Sequence, residues 1–443
     1  MFNENRLSGK RNIAAYIIFT LMLLLFAERI IVFFQLGADS VLGSDDVAYI
    51  ESGLRFAESG MVSIHDPYPS AMIMPGMPVL IGLMSFLFGS GQGLLTSLKM
   101  LWIAMGCATA FMAYKTVRIF LPGAWGIFAA ACYLLPNIAW ADNIILTETP
   151  YSLFFICCVY SALKMGQSDM RKHFIFFTLS FMAALMFRAN ILSIAPVTLI
   201  YLLIKKWKEP KKLILKRCAA FVCAALCFFL PWAIRNYLRF DAFIPVSYGS
   251  GNPMLLGTYQ GEGWPEESEL DYDENVNKPF LEKYGRYFDE SGENVENPCH
   301  RQYISLERDR MSAQYRMKYW LEHNPASFLK TYLYTKPRMM LNWPWYWNEV
   351  LNTPISAIQF VYKVNCILCI AAVLLSLIMK KFRAPVLFLS AVYSVNLYIY
   401  ATAFASDRYT AVIMPLRFML ACFALCLIYE LFKKLRGKLN IRQ

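Results

Sequence analysis

Residues Ile13–Leu36 read IAAYIIFTLMLLLFAERIIVFFQL, and soon after them comes Ser44-Asp45-Asp46-Val47-Ala48-Tyr49. As a helix rising 1.5 Å per residue, the first stretch is about 36 Å long, enough to cross a hydrocarbon core of about 30 Å. It exceeds the apolar region of a signal peptide and lacks a small-residue cleavage site, so it is read as a retained span. Comparable apolar runs recur at 99–120, 123–141, 150–164, 174–187, 191–204, 218–232, 356–379, 384–403 and 410–431. The expectation is an all-α polytopic integral membrane protein with about 10–12 transmembrane helices. Residues 77–88 and the aromatic 328–347 are read as interfacial segments that do not cross.

Composition agrees. Of 443 residues, 57% are hydrophobic, 16% aromatic and 17% charged, where a soluble domain is about 25% charged. That excludes an ordinary soluble protein and a disordered one. The net charge of +12 raises the question of a nucleic-acid partner, which the placement of the charges answers. Arg6, Lys10 and Arg11 precede the first span, and further basic clusters fall in alternate connections up to the tail from Lys433 to Arg442. Asp45, Asp46, Glu51, Glu58, Asp66, Asp142 and Glu148 fill the others. This asymmetry follows the positive-inside rule, placing both termini in the cytoplasm and the acidic loops outside. The basicity is topology, and no nucleic-acid partner is expected. Most of the 12 cysteines lie in apolar runs, where a thiol is a small hydrophobe; neither a zinc spacing nor a disulfide framework is visible.

Three parts follow from the spans: a transmembrane module, 1–234, carrying the outer loop 37–75; a large outer loop, 235–355; and C-terminal helices with a basic tail, 356–443. Within loop 37–75, residues 47–59 have helical apolar spacing, with Gly60 as a stop. Asp45 and Asp46 stand at the start of that helix. Adjacent carboxylates there can simply cap free backbone N–H groups. The functional alternative is a general base at the membrane surface, oriented by its neighbour or sharing a divalent metal with it.

The flanking residues bear on this choice. Asp45-Asp46, Tyr49, the helix ending Leu54-Arg55-Phe56-Ala57-Glu58-Ser59-Gly60 and the entry Met74-Pro75-Gly76-Met77-Pro78 form one motif. Leu146-Thr147-Glu148-Thr149-Pro150, Phe187-Arg188-Ala189-Asn190, Pro231-Trp232-Ala233-Ile234-Arg235-Asn236-Tyr237 and Asp407-Arg408-Tyr409 with Pro415 follow in order. Together they resemble the bacterial polyprenyl-phosphate-sugar-dependent glycosyltransferases of the GT-C superfamily, in the branch of protein O-mannosyltransferases and lipid A aminoarabinose transferases. The second acid is Asp46 where many of that family have Glu.

The resemblance implies a GT-C-type bundle with extracytoplasmic loop helices, in the plasma membrane. It further implies an inverting glycosyltransferase that takes a sugar from a polyprenyl-phosphate donor and places it on a lipid, envelope-glycan or protein acceptor. By resemblance Asp45 is the base, with Asp46 and Glu148 as further acidic groups. Arg188, Arg235 and Arg408 are the cations for the leaving lipid phosphate, a group that Arg can hold bidentately. Tyr49, Arg55, Asn236 and Tyr409 complete the substrate-binding candidates. Each has a plainer role to set beside this: arginines that snorkel to headgroups, a Glu148 exposed at a helix start, a Tyr49 anchored at the interface, an Arg55 on a polar helix face. His65 and His300 give no metal-ligand spacing, so a divalent ion is an open option without assigned ligands. The absence of a P-loop, of GxGxxG and of a nucleotide-sugar domain speaks against a cytosolic nucleotide-sugar donor. A flippase for lipid-linked sugars shares the topology and arginines but needs no outer carboxylate base.

Overall fold

The computed structural model describes residues 2–167, 170–208, 210–289, 291 and 294–440. The side chains of residues 2–12, 170 and 437–440 fall outside that description, so the expected basic flank of Arg6, Lys10, Arg11, Lys438 and Arg442 does too. Among the described residues there is no strand, only an isolated antiparallel bridge between Phe288 and Val295.

These described residues form nineteen α-helices: α1 (Phe2–Leu36), α2 (Asp45–Ser59), α3 (Gly76–Phe88), α4 (Gln92–Val117), α5 (Gly123–Ala131), α6 (Pro136–Ala141), α7 (Glu148–Met165), α8 (Met170–Phe187), α9 (Ile194–Lys205) and α10 (Lys211–Phe240), then α11 (Gly251–Gly257), α12 (Lys278–Tyr284), α13 (Pro298–His323), α14 (Pro325–Lys330), α15 (Lys336–Asn342), α16 (Ile355–Ile378), α17 (Arg383–Thr402), α18 (Asp407–Ala411) and α19 (Met414–Asn440). Six of these contain stretches long and apolar enough to cross a membrane: Ile13–Leu36, Gln92–Val117, Lys211–Phe240, Ile355–Ile378, Arg383–Thr402 and Met414–Arg436. Large apolar side chains such as Phe34, Leu215, Leu226, Leu230, Phe360, Ile367 and Ile370 lie exposed along them. So broad an apolar surface would drive aggregation in water, and the chain is a multi-pass membrane protein.

The expected run 123–141 is not one span. Pro136 has no N–H to donate and disfavours helical geometry in the residue before it. Leu135 accordingly sits at ψ 125°, and α5 and α6 are separate pieces. Run 191–204 likewise begins as a 3-10 turn over Ala189–Ser193 before α9. The run at 218–232 extends the other way: α10 carries Pro231 in its interior and continues to Phe240.

Helices α7 and α8 pack against each other, with α4 along α7, and α7 is almost wholly buried. The segment between α10 and α16 folds around its own aromatic cluster, in which Phe240, Tyr248, Phe280, Tyr284 and Tyr303 are buried together. Arg316 of α13 pins the segment's irregular part by donating to Thr258 Oγ1 at 2.8 Å, Glu267 Oε1 at 2.6 Å and Pro265 O at 3.0 Å.

Candidate active site

Helix α2 stops where expected. Gly60 takes φ 69° and its N–H closes on Phe56 O, a left-handed cap that glycine adopts without a Cβ penalty. The start of α2 does not use its carboxylates in the way a simple cap would. Asp46 is buried and reaches backwards, accepting from Leu42 N at 2.5 Å and Ser44 N at 3.0 Å. It therefore folds the loop rather than the helix. Lys99 of α4 fixes the same loop by donating to Gly37 O at 2.9 Å and Ser40 O at 2.8 Å. With the loop held from both sides, Asp45 emerges at the helix N-terminus, where the backbone dipole favours a negative charge.

Asp45 Oδ2 accepts from Arg408 Nη1 at 2.6 Å. The Nε of the same guanidinium donates to Glu148 Oε1 at 2.6 Å, and Arg188 Nη1 donates to that oxygen at 2.8 Å and to Thr147 Oγ1 at 3.1 Å. Four charged groups from distant parts of the chain thus meet in one cluster with no net charge. It is graded in depth: the Glu148 side chain is 4% exposed and that of Asp45 43%. Burial alone would raise the Glu148 carboxyl, but Arg408 and Arg188 outweigh it and hold the group below the usual carboxylate range.

The surroundings explain why the cluster stays in place. Trp102 Nε1 donates to Leu146 O at 2.8 Å, anchoring the loop that presents Glu148. Arg188 lies over the rings of Tyr400 and Tyr409, which stack with centroids 5.1 Å apart. Arg408 lies 5.9 Å from the centroid of Trp345, a residue of the aromatic run 342–347. Tyr49 is buried on α2; burial first, then the charge of Asp45, pushes its hydroxyl up in pKa.

Besides Asp46, three of the expected residues do not join this cluster. Arg235 donates to Ser70 O at 2.9 Å, Val62 O at 3.2 Å and Asn236 Oδ1 at 2.9 Å. Asn236 in turn donates to Ile244 O at 2.9 Å. Arg235 thus ties the end of α10 to loop 60–75, and Asn236 ties it to the segment that follows the helix. Arg55 donates to Ser63 Oγ at 2.8 Å and lies 3.5 Å from Glu51, bracing the same loop from α2.

A second buried pair adjoins the first. Arg29 Nε donates to Asp142 Oδ2 at 2.8 Å, and Thr149 Oγ1 donates to Asp142 Oδ1 at 2.9 Å. Asp142 lies hard against α4: a Cβ on Gly106 would come within 1.9 Å of its Oδ2. Asp142 and Glu148 both line a narrow cavity of about 50 Å³. The sequence reading did not single out Arg29, although Glu28-Arg29 inside an otherwise apolar span is a signal that charges there need partners.

No group of three or more His, Cys, Asp or Glu side chains converges for a metal among the described residues. Asp45 and Glu148 meet through Arg408 instead, and a guanidinium between two carboxylates occupies the place a shared cation would take. This donor set fits an all-protein metal site poorly.

No protein-family model matches the chain, and no curated protein matches it in sequence. Solved structures do match in fold. The archaeal oligosaccharyltransferase AglB from Archaeoglobus fulgidus, in complex with an inhibitory peptide and a dolichol-phosphate, superposes with a TM-score of 0.56 at 12% identity, covering 96% of this chain and 52% of that one. An Archaeoglobus fulgidus oligosaccharyltransferase in complex with Zn and sulfate gives 0.54 at 11% identity, covering 93% and 49%. ArnT from Cupriavidus metallidurans bound to undecaprenyl phosphate gives 0.42 at 14% identity, covering 90% and 77%. The chain spans about half the length of the oligosaccharyltransferases it matches. The likeness is one of fold: an all-helical membrane bundle.

Proposed function

We propose that this chain is an inverting glycosyltransferase that moves a sugar from a polyprenyl-phosphate donor to an acceptor hydroxyl on a lipid, an envelope glycan or a protein. The observation that carries the reading is the graded cluster: a half-open carboxylate, Asp45, joined through Arg408 to the buried Glu148 and Arg188. The dolichol-phosphate bound in the archaeal oligosaccharyltransferase of similar fold supports a lipid-phosphate donor. The positive-inside charge pattern supports cytoplasmic termini and an extracytoplasmic site in the plasma membrane.

The chemistry follows from the charges. The acceptor oxygen attacks the anomeric carbon while its proton passes to Asp45, and the bond from that carbon to the phosphate oxygen breaks with inversion. The departing lipid phosphate gains negative charge, which preorganised guanidinium groups stabilise most when water is excluded. Arg408 couples the two events. As a proton reaches Asp45, the carboxylate loses its charge and its hold on Nη1, leaving that N–H free to turn to the phosphate. Glu148 keeps hold of Nε, so the guanidinium pivots without leaving the site.

In this reading residues 1–234 form the catalytic module, with Tyr49 and Tyr409 as candidate sugar or carrier contacts, and the C-terminal part, 356–443, supplies Arg408. Within the loop 235–355, residues 249–310 are assigned to acceptor preference. A metal has no step here.

Reconstituted vesicles given a labelled polyprenyl-phosphate sugar and acceptor test the proposal. Label should move to the acceptor with release of polyprenyl phosphate, and a non-hydrolysable donor should stay in its leaflet. Transbilayer movement of that analogue without transfer would identify a flippase instead.

A further inference from the structure

Away from the Asp45 cluster, a cavity of about 580 Å³ lies between α15, α16, α17 and α19, a size typical of ligand pockets. Apolar side chains form most of its wall, and Ile370 and Leu333, largely exposed, leave it open to the surrounding lipid. One of its lining residues is Arg417, which is 1% exposed. Its Nε donates to Asn365 Oδ1 at 2.9 Å, and its Nη2 donates to Tyr362 O at 2.7 Å and contacts Cys366 Sγ at 2.8 Å. All three partners are uncharged, and among the described residues Nη1 has no partner. Two more lining residues carry buried atoms in the same state, Ser390 Oγ and Tyr393 Oη. Arg338 adds a second cation to the wall.

A guanidinium at membrane depth without a carboxylate is costly, and each buried polar atom without a partner adds to that cost. Arg29 shows how this chain otherwise handles a buried arginine, by setting Asp142 against it. The Arg417 cavity lacks that acid, but it has room, donors and an opening to the bilayer.

We propose that this cavity binds an anionic membrane lipid, whose phosphate meets Arg417 Nη1, Ser390 Oγ and Tyr393 Oη while an acyl chain follows the apolar wall. The inference does not depend on the glycosyltransferase reading, since neither Asp45 nor Glu148 takes part. The lipid supplies the missing negative charge and ties α16, α17 and α19 together.

Native mass spectrometry of the full-length protein, exchanged into detergent with phosphatidylglycerol or phosphatidylcholine, is the test. One phosphatidylglycerol should remain bound through activation energies that strip phosphatidylcholine. Arg417→Gln should cut that occupancy at least tenfold. Val373→Trp, which narrows the apolar wall without touching the arginine, should do the same, and serves if the first variant does not fold. Equal retention of the two lipids, or undiminished phosphatidylglycerol binding in a folded variant, would overturn the proposal. Displacement by millimolar inorganic phosphate as effective as by phosphatidylglycerol would overturn it too, by making the site one for a free anion.

Discussion

Arg408 Nε meets Glu148 Oε1 at 2.6 Å although 260 residues separate them, and Nη1 on the same side chain holds Asp45. One planar group thus fixes the spacing between a buried carboxylate and a half-exposed one. A lysine, with a single charged nitrogen, has no such fork. Arg408→Lys should therefore leave the fold intact, because Arg188 still pairs with Glu148, while lowering kcat about 100-fold or more. Single-turnover transfer rates beside a thermal melt check both halves; an unchanged rate would show that the fork has no catalytic role.

Glu148 is the structural centre of the cluster. Replacing it with Gln leaves two guanidinium groups short of one buried negative charge, a change that typically costs about 3–5 kcal/mol. A clear fall in the melting temperature of Glu148→Gln in detergent is expected, together with lost activity.

The pH dependence of that loss has a definite sign. The folded Glu148 carboxyl lies below its ordinary value of 4.5, so the unfolded chain binds the proton more readily. The stabilisation is complete above the unfolded pKa and disappears as pH falls through the lower folded one. The difference in melting temperature between wild type and Glu148→Gln should hold from pH 7 to about 5 and shrink only below about 4. A difference that vanished between pH 7 and 6 would contradict the assignment.

Arg235 separates a structural from a catalytic role. Its bonds to Ser70 O and Val62 O make it a tether for loop 60–75. Arg235→Gln should raise hydrogen exchange across residues 62–72 even without substrate. Unchanged exchange with lost transfer would return Arg235 to the phosphate-binding set that the family resemblance implies.

Gly106 tests the neighbouring pair. With a Cβ only 1.9 Å from Asp142 Oδ2, and with Asp142 held by Arg29 and Thr149, the clash has no cheap relief. Gly106→Ala should destabilise by about 1–3 kcal/mol, read as a lowered melting temperature; a neutral result would mean that Asp142 can move.

Much of this was legible in the residues themselves. Apolar length and charge asymmetry mark the membrane helices, Gly60 marks the end of α2, and the ordered motifs name Asp45, Glu148, Arg188 and Arg408, which do meet. Less legible were features decided by backbone or by packing. Arg235 and Asn236 pair with carbonyls of Val62, Ser70 and Ile244, and a carbonyl has no signature in sequence. Asp46 looks like a twin of Asp45 but turns back to Leu42 and Ser44, a choice set by the loop that Lys99 closes. The interruption at Pro136 was visible as a residue, yet its apolar flanks read as one continuous run.

In the proposed reaction Asp45 takes the acceptor's proton while Arg408, held by Glu148, turns to the departing phosphate. Asp45→Asn keeps the shape of the side chain and its contact with Arg408 but removes the base. In a reconstituted assay with polyprenyl-phosphate sugar and acceptor, the variant should melt within a few degrees of wild type and transfer no sugar above background. Transfer by folded Asp45→Asn at a rate near that of wild type would contradict the account.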